Sequence, residues 1–158
     1  MSNRDKTSVL PHCLRCPNEL HCCSRASTIV VMPDEVDKIV QRTGRSDLLK
    51  AETSTLFTIV KIPGEPCPFL SQDRLCSIYD IRPRDCRSWP LTFNREANGY
   101  VLDMGCPAAQ RGCLSEQFLT ASRVVLSSIE SPLRHTFVEL VHRDGLPLVA
   151  IEQAEEAP

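Results

Sequence analysis

The sequence predicts a small single domain of the α+β class, with short strands and about three helices. Three observations support this fold class. The chain has 158 residues, a length at which a single hydrophobic core is usual. Short β-branched runs alternate with stretches of helical period. The composition combines nine cysteines and 12 prolines with only 5% aromatic residues, so part of the fold must be held by something other than packing.

The first half of the chain predicts two strands and one helix. A β-branched run at residues 27–32 predicts the first strand. A helix should begin at Pro33, because proline suits the first turn and the two carboxylates after it face the positive end of the helix dipole. Gly44 should end this helix. A short helical turn is expected within residues 48–54, and a second strand at residues 55–62.

The second half predicts a hairpin followed by two helices. Residues 91–93 and 100–104 flank an Asn-Gly pair, which is a strong hairpin signal. Apolar positions of helical period predict a helix over residues 115–129. A further helix should start at Ser131, where a proline follows, and end at Gly145. The domain is expected to span residues 11–150, with its C-terminal helices from about 115 and polar tails at 1–10 and 151–158.

Charge and targeting signals limit the classes of partner. The net charge of -2 and the pI near 6.1 give no overall attraction to nucleic acid or to anionic lipid. The polar start lacks the apolar segment of a secretory signal, and no run approaches the roughly 18 apolar residues of a membrane span. A cytoplasmic location is therefore favoured, with no nucleic-acid or membrane partner, and thiols there stay reduced.

Reduced cysteines in clusters bind metal or do redox chemistry. Cys13 and Cys16 form a C-x2-C knuckle, whose spacing lets two thiolates reach one ion. Cys22 and Cys23 are adjacent, and adjacent side chains in extended backbone point apart. These two thiols therefore suit different ions, or one of them ligates while the other packs. A redox role for the knuckle is disfavoured, because no helix is predicted to follow it.

Cysteines further along the chain complete the set. Eight thiolates suffice for two four-ligand sites, or for one iron–sulfur cluster and one zinc. Their spacing does not choose between zinc and iron, and an iron–sulfur cluster could be of the 4Fe-4S or the 2Fe-2S type. The domain should fold around this cysteine-ligated metal centre. The candidate ligands are Cys13, Cys16, Cys22, Cys23, Cys67, Cys76, Cys86 and Cys106.

Other residues near the thiols carry alternative interpretations. Cys113 is a ninth ligand, a buried thiol or a reactive exposed one, and His12 and His21 are surface imidazoles in preference to ligands. Tyr79 and Trp89 should shield the site from water. Four arginines either compensate the charge of the thiolates or form a solvated basic loop; they are Arg74, Arg82, Arg84 and Arg87.

The cysteines stand in short motifs, and the sequence of these motifs is distinctive: Cys13-x2-Cys16, Cys22-Cys23, Pro66-Cys67-Pro68-Phe69-Leu70, Cys76-Ser77-Ile78-Tyr79, Arg82-Pro83, Cys86-Arg87 and Cys106. They closely resemble the YkgJ-type cysteine-cluster family, a zinc- or iron-chelating domain, over roughly residues 11–107. The eight cysteines of the family pattern fall on the eight candidate ligands, which leaves Cys113 as the extra one. The family usually has two residues where five separate Cys16 from Cys22, and a bulge there is favoured over recruitment of His21.

The resemblance implies metal chelation as the function. Flagellin lysine N-methylases look like relatives with the same cluster, which suggests iron–sulfur chemistry and methyl transfer in one branch. No catalytic triad, P-loop or dinucleotide motif appears in the chain, so an enzyme assignment would depend on the metal. Three functions stay open: a zinc- or iron-binding module, an iron–sulfur enzyme or electron carrier linked to protein methyl transfer, and a zinc-stapled module whose C-terminal helices bind a protein partner.

Overall fold

A computed structural model of the chain describes residues 28–72, 75–145 and 148–151, and these contain two small antiparallel sheets and five α-helices. The α+β fold class is confirmed. Several predictions lie outside the described residues: the tail at 1–10, residues 152–158, the imidazoles His12 and His21, Arg74, and the ligands Cys13, Cys16, Cys22 and Cys23. The predicted domain limits stay predictions.

The first sheet lies in the N-terminal half and contains three strands, β1 (Val30–Val31), β2 (Leu49–Ala51) and β3 (Phe57–Ile59), with β3 in the middle. Strands β1 and β3 lie inside the two predicted strand regions. Strand β2 replaces most of the helical turn expected within residues 48–54, since only a 3-10 turn at Ser46–Leu48 precedes it. The prediction fails here because pairing of residues 49–51 with β3 decides their conformation, and local sequence does not.

Helix α1 (Pro33–Thr43) begins and ends where the sequence predicts. The Met32 N–H donates to Glu35 Oε2 at 2.9 Å, so a side chain in the first turn satisfies a free backbone group. Gly44 follows the helix with φ of 67°, a left-handed conformation in which glycine is favoured.

The second sheet contains the predicted hairpin and one further strand. Strands β4 (Leu91–Phe93) and β5 (Tyr100–Asp103) pair antiparallel, as predicted, and β6 (Leu148–Ala150) pairs with the other edge of β5. Strand β6 was not predicted from the sequence, because residues 148–150 are too few to show a strand period. The middle strand of this sheet therefore has partners that come before and after it in the chain.

The remaining helices are α2 (Arg84–Ser88), α3 (Pro107–Gln110), α4 (Glu116–Ser127) and α5 (Ser131–His142). Helices α4 and α5 confirm the predicted C-terminal pair. Ser115 caps α4, since its side-chain oxygen accepts from the Phe118 N–H at 3.1 Å. Helices α2 and α3 were not predicted, because they are too short for an apolar period. None of the described helices is long and apolar enough to cross a membrane.

Two apolar clusters form the core of the described chain. The larger lies between the second sheet and the C-terminal helices, and Leu91, Leu126 and Phe137 are completely buried in it. The smaller lies between the first sheet, α1 and the central loops; its buried members are Val31, Ile39, Ile59, Phe69 and Ile78. Cys67 and Cys76 pack against this smaller cluster, so the cysteines adjoin an apolar core.

Candidate metal centre

A short pair of turns holds Cys67 and Cys76. The Leu70 N–H donates to the Cys67 carbonyl at 2.9 Å, and the Ser77 N–H donates to the Phe69 carbonyl at 2.8 Å. Leu70 and Cys76 form an isolated antiparallel bridge. The two cysteines therefore stand on a small structured loop, because the backbone on both sides of it is paired.

Cys86 lies in α2, which is held at its first turn. Pro83 precedes the helix, and its carbonyl accepts from the Arg87 N–H at 3.0 Å. The Arg84 N–H donates to Glu35 Oε1 at 2.9 Å, so a side chain of α1 caps α2. Burial raises the pKa of Glu35. The hydrogen bonds that its carboxylate accepts from the backbone N–H groups of Met32 and Arg84 act in the opposite direction and lower it.

The thiols of Cys67 and Cys76 influence the Cys86 thiol electrostatically. Burial raises the pKa of Cys86 well above its ordinary value, negative charge on Asp85 and on the Cys67 and Cys76 thiols raises it further, and Arg82 lowers it. These three candidate ligands therefore lie in one region of the fold, but they are not placed as a metal-binding group. A cation bound among them would reverse this balance, because it stabilises thiolates over thiols.

Arg82 is the arginine whose charge favours a Cys86 thiolate. Its guanidinium lies 3.8 Å from the centroid of the Tyr79 ring, and its Nε donates to the Tyr79 carbonyl at 3.0 Å. A stacked guanidinium in this position fits the interpretation of charge compensation. Tyr79 therefore contacts a cation of the site, beyond the shielding role that the sequence predicts.

Arg84 has a different role from either one predicted for it. Its guanidinium donates to Asp34 and Glu35 of α1, and its Nε donates to Ser128 Oγ at 2.9 Å. The side chain is mostly covered, with 18% of its surface exposed. Arg84 therefore connects α2 to α1 and to the end of α4, and it is neither solvated nor a charge partner of the thiols.

Arg87 follows Cys86 directly and is half-buried. Among the described residues, no acceptor meets its buried Nε, and its NH2 lies 3.8 Å from Glu35 Oε1. Burial lowers the pKa of this guanidinium. A buried donor beside a candidate ligand leaves a hydrogen bond to be made, and thiolate sulfur is an acceptor for such bonds.

Cys106 is buried at the N-terminus of α3, just after β5. Its N–H donates to the Asp103 carbonyl at 3.1 Å. The side chain of Asp103 accepts from the Gly105 N–H at 2.8 Å and from the Trp89 indole Nε1 at 2.9 Å. Trp89 follows α2, so Asp103 connects the segment of Cys106 to the helix of Cys86.

Asp85 lies in the centre of this region and is almost completely buried. Its Oδ2 accepts from the Val30 N–H at 2.8 Å. Burial raises its pKa to about 7; the bond from Val30 lowers it, the charges of Glu35 and Asp103 raise it, and Lys61 lowers it. The hydrogen bonds of Glu35 and Asp85 join positions that are distant in the chain, so sequence spacing does not display these particular contacts.

Cys113 differs from the other described cysteines because it is exposed. Residues 28–72, 75–145 and 148–151 contain no group of three or more Cys, His, Asp or Glu side chains placed so that they could hold a metal ion. The described cysteines therefore do not form a complete site among themselves. By residue type they fit zinc or an iron–sulfur cluster, because thiolates are the soft ligands that these metals take.

Comparison with known proteins gives one match. The model of a family described as "CxxCxxCC: Putative zinc- or iron-chelating domain" matches residues 12–107, which is more than half of the chain. Neither the curated proteins nor the solved structures contain a match. The matched range includes all eight candidate cysteines and excludes Cys113.

Proposed function

Because the chain belongs to the CxxCxxCC family of zinc- or iron-chelating domains, we propose that it binds zinc or iron through eight cysteine thiolates. We also propose that it does so in the cytoplasm, where thiols stay reduced. The proposed ligands are Cys13, Cys16, Cys22, Cys23, Cys67, Cys76, Cys86 and Cys106.

The observation that carries this proposal is the family match over residues 12–107, which contains all eight candidate cysteines. Of these, Cys67 and Cys76 influence the Cys86 thiol electrostatically. Partly buried thiols are unfavourable as free thiolates, and a cation offsets that cost. Arg82 supplies a positive charge next to them, which suits a centre that carries net negative charge when four thiolates bind a divalent ion.

Bound zinc would contribute free energy to folding, whereas an iron–sulfur cluster would supply an electron-transfer centre. In either case, the chain supplies thiolate ligands, the Arg82 charge and the apolar cover of the smaller core cluster. Phe69 and Ile78, which are buried next to the cysteine loop, limit the access of water to this side of the centre. The helix α2 fixes the orientation of Cys86.

The interaction-module alternative must use a surface other than the buried faces of α4 and α5. Both helices contribute to the larger apolar cluster through side chains such as Phe118, Leu126 and Phe137. Their removal would expose this core, so loss of a protein partner after such a deletion would not identify a docking surface. The metal itself separates the alternatives more directly, because zinc has no redox chemistry whereas an iron–sulfur cluster supports electron transfer.

Anaerobic purification followed by metal analysis tests the proposal. The measurements are the zinc and iron content per chain, acid-labile sulfide, and the visible absorption spectrum. Zinc without colour would support a structural or interaction module, and iron with sulfide would support a redox or methyl-transfer protein. A protein that holds neither metal, and that takes up neither after reconstitution with Zn²⁺ or with iron and sulfide, would contradict the proposed function.

A further inference from the structure

The carboxylate next to Cys86 connects two distant parts of the chain. Asp85 Oδ2 accepts from the Val30 N–H at 2.8 Å, and the two residues are 55 positions apart. Strand β1 lies at the edge of the first sheet, and Asp85 satisfies a backbone N–H there that would otherwise be buried without a sheet partner. With only 4% of its surface exposed, Asp85 is shielded from competition by water.

A second carboxylate, on α1, also forms a hydrogen bond with the backbone of α2. Glu35 of α1, also 4% exposed, accepts from the Arg84 N–H at 2.9 Å and from the Met32 N–H at 2.9 Å. Helix α2 is therefore bonded to α1 through Glu35 and to β1 through Asp85. Both contacts fall within two residues of Cys86, so they fix the helix turn from which this thiol projects.

Strand β1 is the first described element after the N-terminal cysteines. Val31, the other residue of β1, belongs to the smaller apolar cluster, against which Cys67 and Cys76 pack. A bond that fixes β1 against α2 therefore holds Cys86 to the sheet whose core adjoins these two cysteines. Thr28 is held as well, since its N–H donates to Asp144 Oδ2 at 2.6 Å, and Asp144 lies after α5 in the chain.

We propose that Asp85 is a positioning residue of the metal centre, which acts by hydrogen-bonding the Val30 N–H and so fixes α2, and with it Cys86, against the first sheet. This inference rests on the proposed metal-binding function. Asp85 contributes as an acceptor on the backbone, and it is not itself a ligand. Side chains that orient metal ligands typically account for 10- to 100-fold in affinity.

The test compares Asp85→Ala with Asp85→Asn, and Asp144→Ala is the matched control. Asp144 also accepts a hydrogen bond from a backbone N–H before α1, that of Thr28. Its replacement therefore removes a similar bond close to Val30 and leaves the Asp85–Val30 bond in place. Zn²⁺ affinity is measured by competition with a chromophoric chelator, and Co²⁺ substitution gives the thiolate-to-cobalt spectrum. The spectrum reports the geometry of the ligands around the cobalt ion. A general loss of stability lowers the fraction of folded protein, but it does not change the spectrum of the molecules that are folded.

Asp85→Ala should weaken Zn²⁺ binding by about 10- to 100-fold and alter the Co²⁺ spectrum. Asp85→Asn keeps an acceptor oxygen for Val30 and should stay within about threefold of the wild type, as should Asp144→Ala. If Asp85→Ala shows no cooperative unfolding, Asp85→Glu takes its place. The extra methylene of Asp85→Glu should displace α2 and change the Co²⁺ spectrum while an acceptor is kept.

Wild-type affinity and spectrum in Asp85→Ala, or in Asp85→Glu where it is used instead, would overturn the inference. Equal losses of Zn²⁺ affinity in Asp85→Asn and Asp85→Ala would also overturn it, because the acceptor oxygen would then not matter. An equal loss of affinity in Asp144→Ala would overturn it as well, because the effect would then not be specific to Asp85. Failure of the wild-type protein itself to bind Zn²⁺, Co²⁺ or iron is a different result. That result would contradict the proposed function, and the inference with it.

Discussion

The guanidinium of Arg84 donates to both carboxylate oxygens of Asp34, with donor–acceptor distances of 3.0 and 2.9 Å. Its NH1 also donates to Glu35 Oε1 at 2.8 Å, so one arginine of α2 binds two carboxylates in the first turn of α1. Two-bond pairs of arginine and carboxylate are stronger and more directional than single bonds. The relative position of these helices therefore depends on Arg84.

Replacement of Arg84 by alanine should lower the free energy of unfolding by about 3 kcal/mol, because the buried Glu35 carboxylate loses its nearest charge partner and, among the described residues, keeps only Arg87, at 3.8 Å. Urea unfolding of the metal-loaded protein measures the change. Arg42→Ala is the control, because Arg42 binds Asp80 with the same two-bond geometry at 2.9 and 2.8 Å on the exposed surface. Its effect should be clearly smaller, and equal effects would show that burial of Glu35 is not what matters.

Cys76→Ser and Cys86→Ser should each abolish or strongly reduce metal binding, whereas Cys113→Ser should leave it unchanged. Serine keeps the size of the side chain but replaces a soft thiolate by a hydroxyl, which is a poor ligand for zinc or iron. Metal content per chain after anaerobic purification is the measurement. Equal loss of metal from all three variants would contradict the proposed assignment of ligands, since Cys113 is exposed and outside the family match.

Removal of the metal should partly unfold the protein, because the binding free energy of a thiolate site contributes to folding. The measurements are the circular dichroism spectrum and the melting temperature before and after dialysis against a chelator under reducing conditions. The larger apolar cluster contains no cysteine, so α4 and α5 should retain more helical signal than the cysteine-bearing segments. An unchanged spectrum and melting curve would refute this expectation.

The free energy of unfolding should decrease in acid, in part because Glu52 becomes protonated. The Thr58 hydroxyl and then Arg143 hold the pKa of Glu52 below its ordinary value. A carboxyl whose pKa is lower in the folded state contributes stability above the unfolded pKa of about 4.3, and this contribution is lost as pH falls through the folded value. The difference in free energy of unfolding between wild type and Glu52→Gln should therefore shrink below about pH 4.3. A difference that stays constant from pH 6 to pH 3 would contradict the assignment.

The long elements could be predicted from sequence because each carries its own signals. Pro33 and Gly44 mark the two ends of α1, and the helical period and the Ser115 cap mark α4. Strand β2 was predicted wrongly, because its conformation depends on pairing with β3. Helices α2 and α3 and strand β6 are too short to show a period. Packing against distant parts of the chain determines them, and a single sequence does not display that packing.

The candidate site likewise has a part that the sequence predicts and a part that depends on contacts between distant positions. The cysteine spacing and the family motifs predict the ligands, because metal chemistry needs thiolates that can converge on one ion. The supporting carboxylates could not be identified, since Glu35 contacts Arg84 across 49 positions and Asp85 contacts Val30 across 55. Arg84 was misread for the same reason. In the sequence Arg84 stands two positions before Cys86, whereas its partners in space lie mainly on α1.

The larger apolar cluster has a consequence for the order of events during synthesis. It needs side chains of α4 and α5 as well as of earlier elements, and β5 pairs with β6 at residues 148–150, so both structures need chain beyond the family match at residues 12–107. All eight candidate cysteines are synthesised before these helices. The larger core therefore closes only after the whole cysteine-bearing segment has left the ribosome.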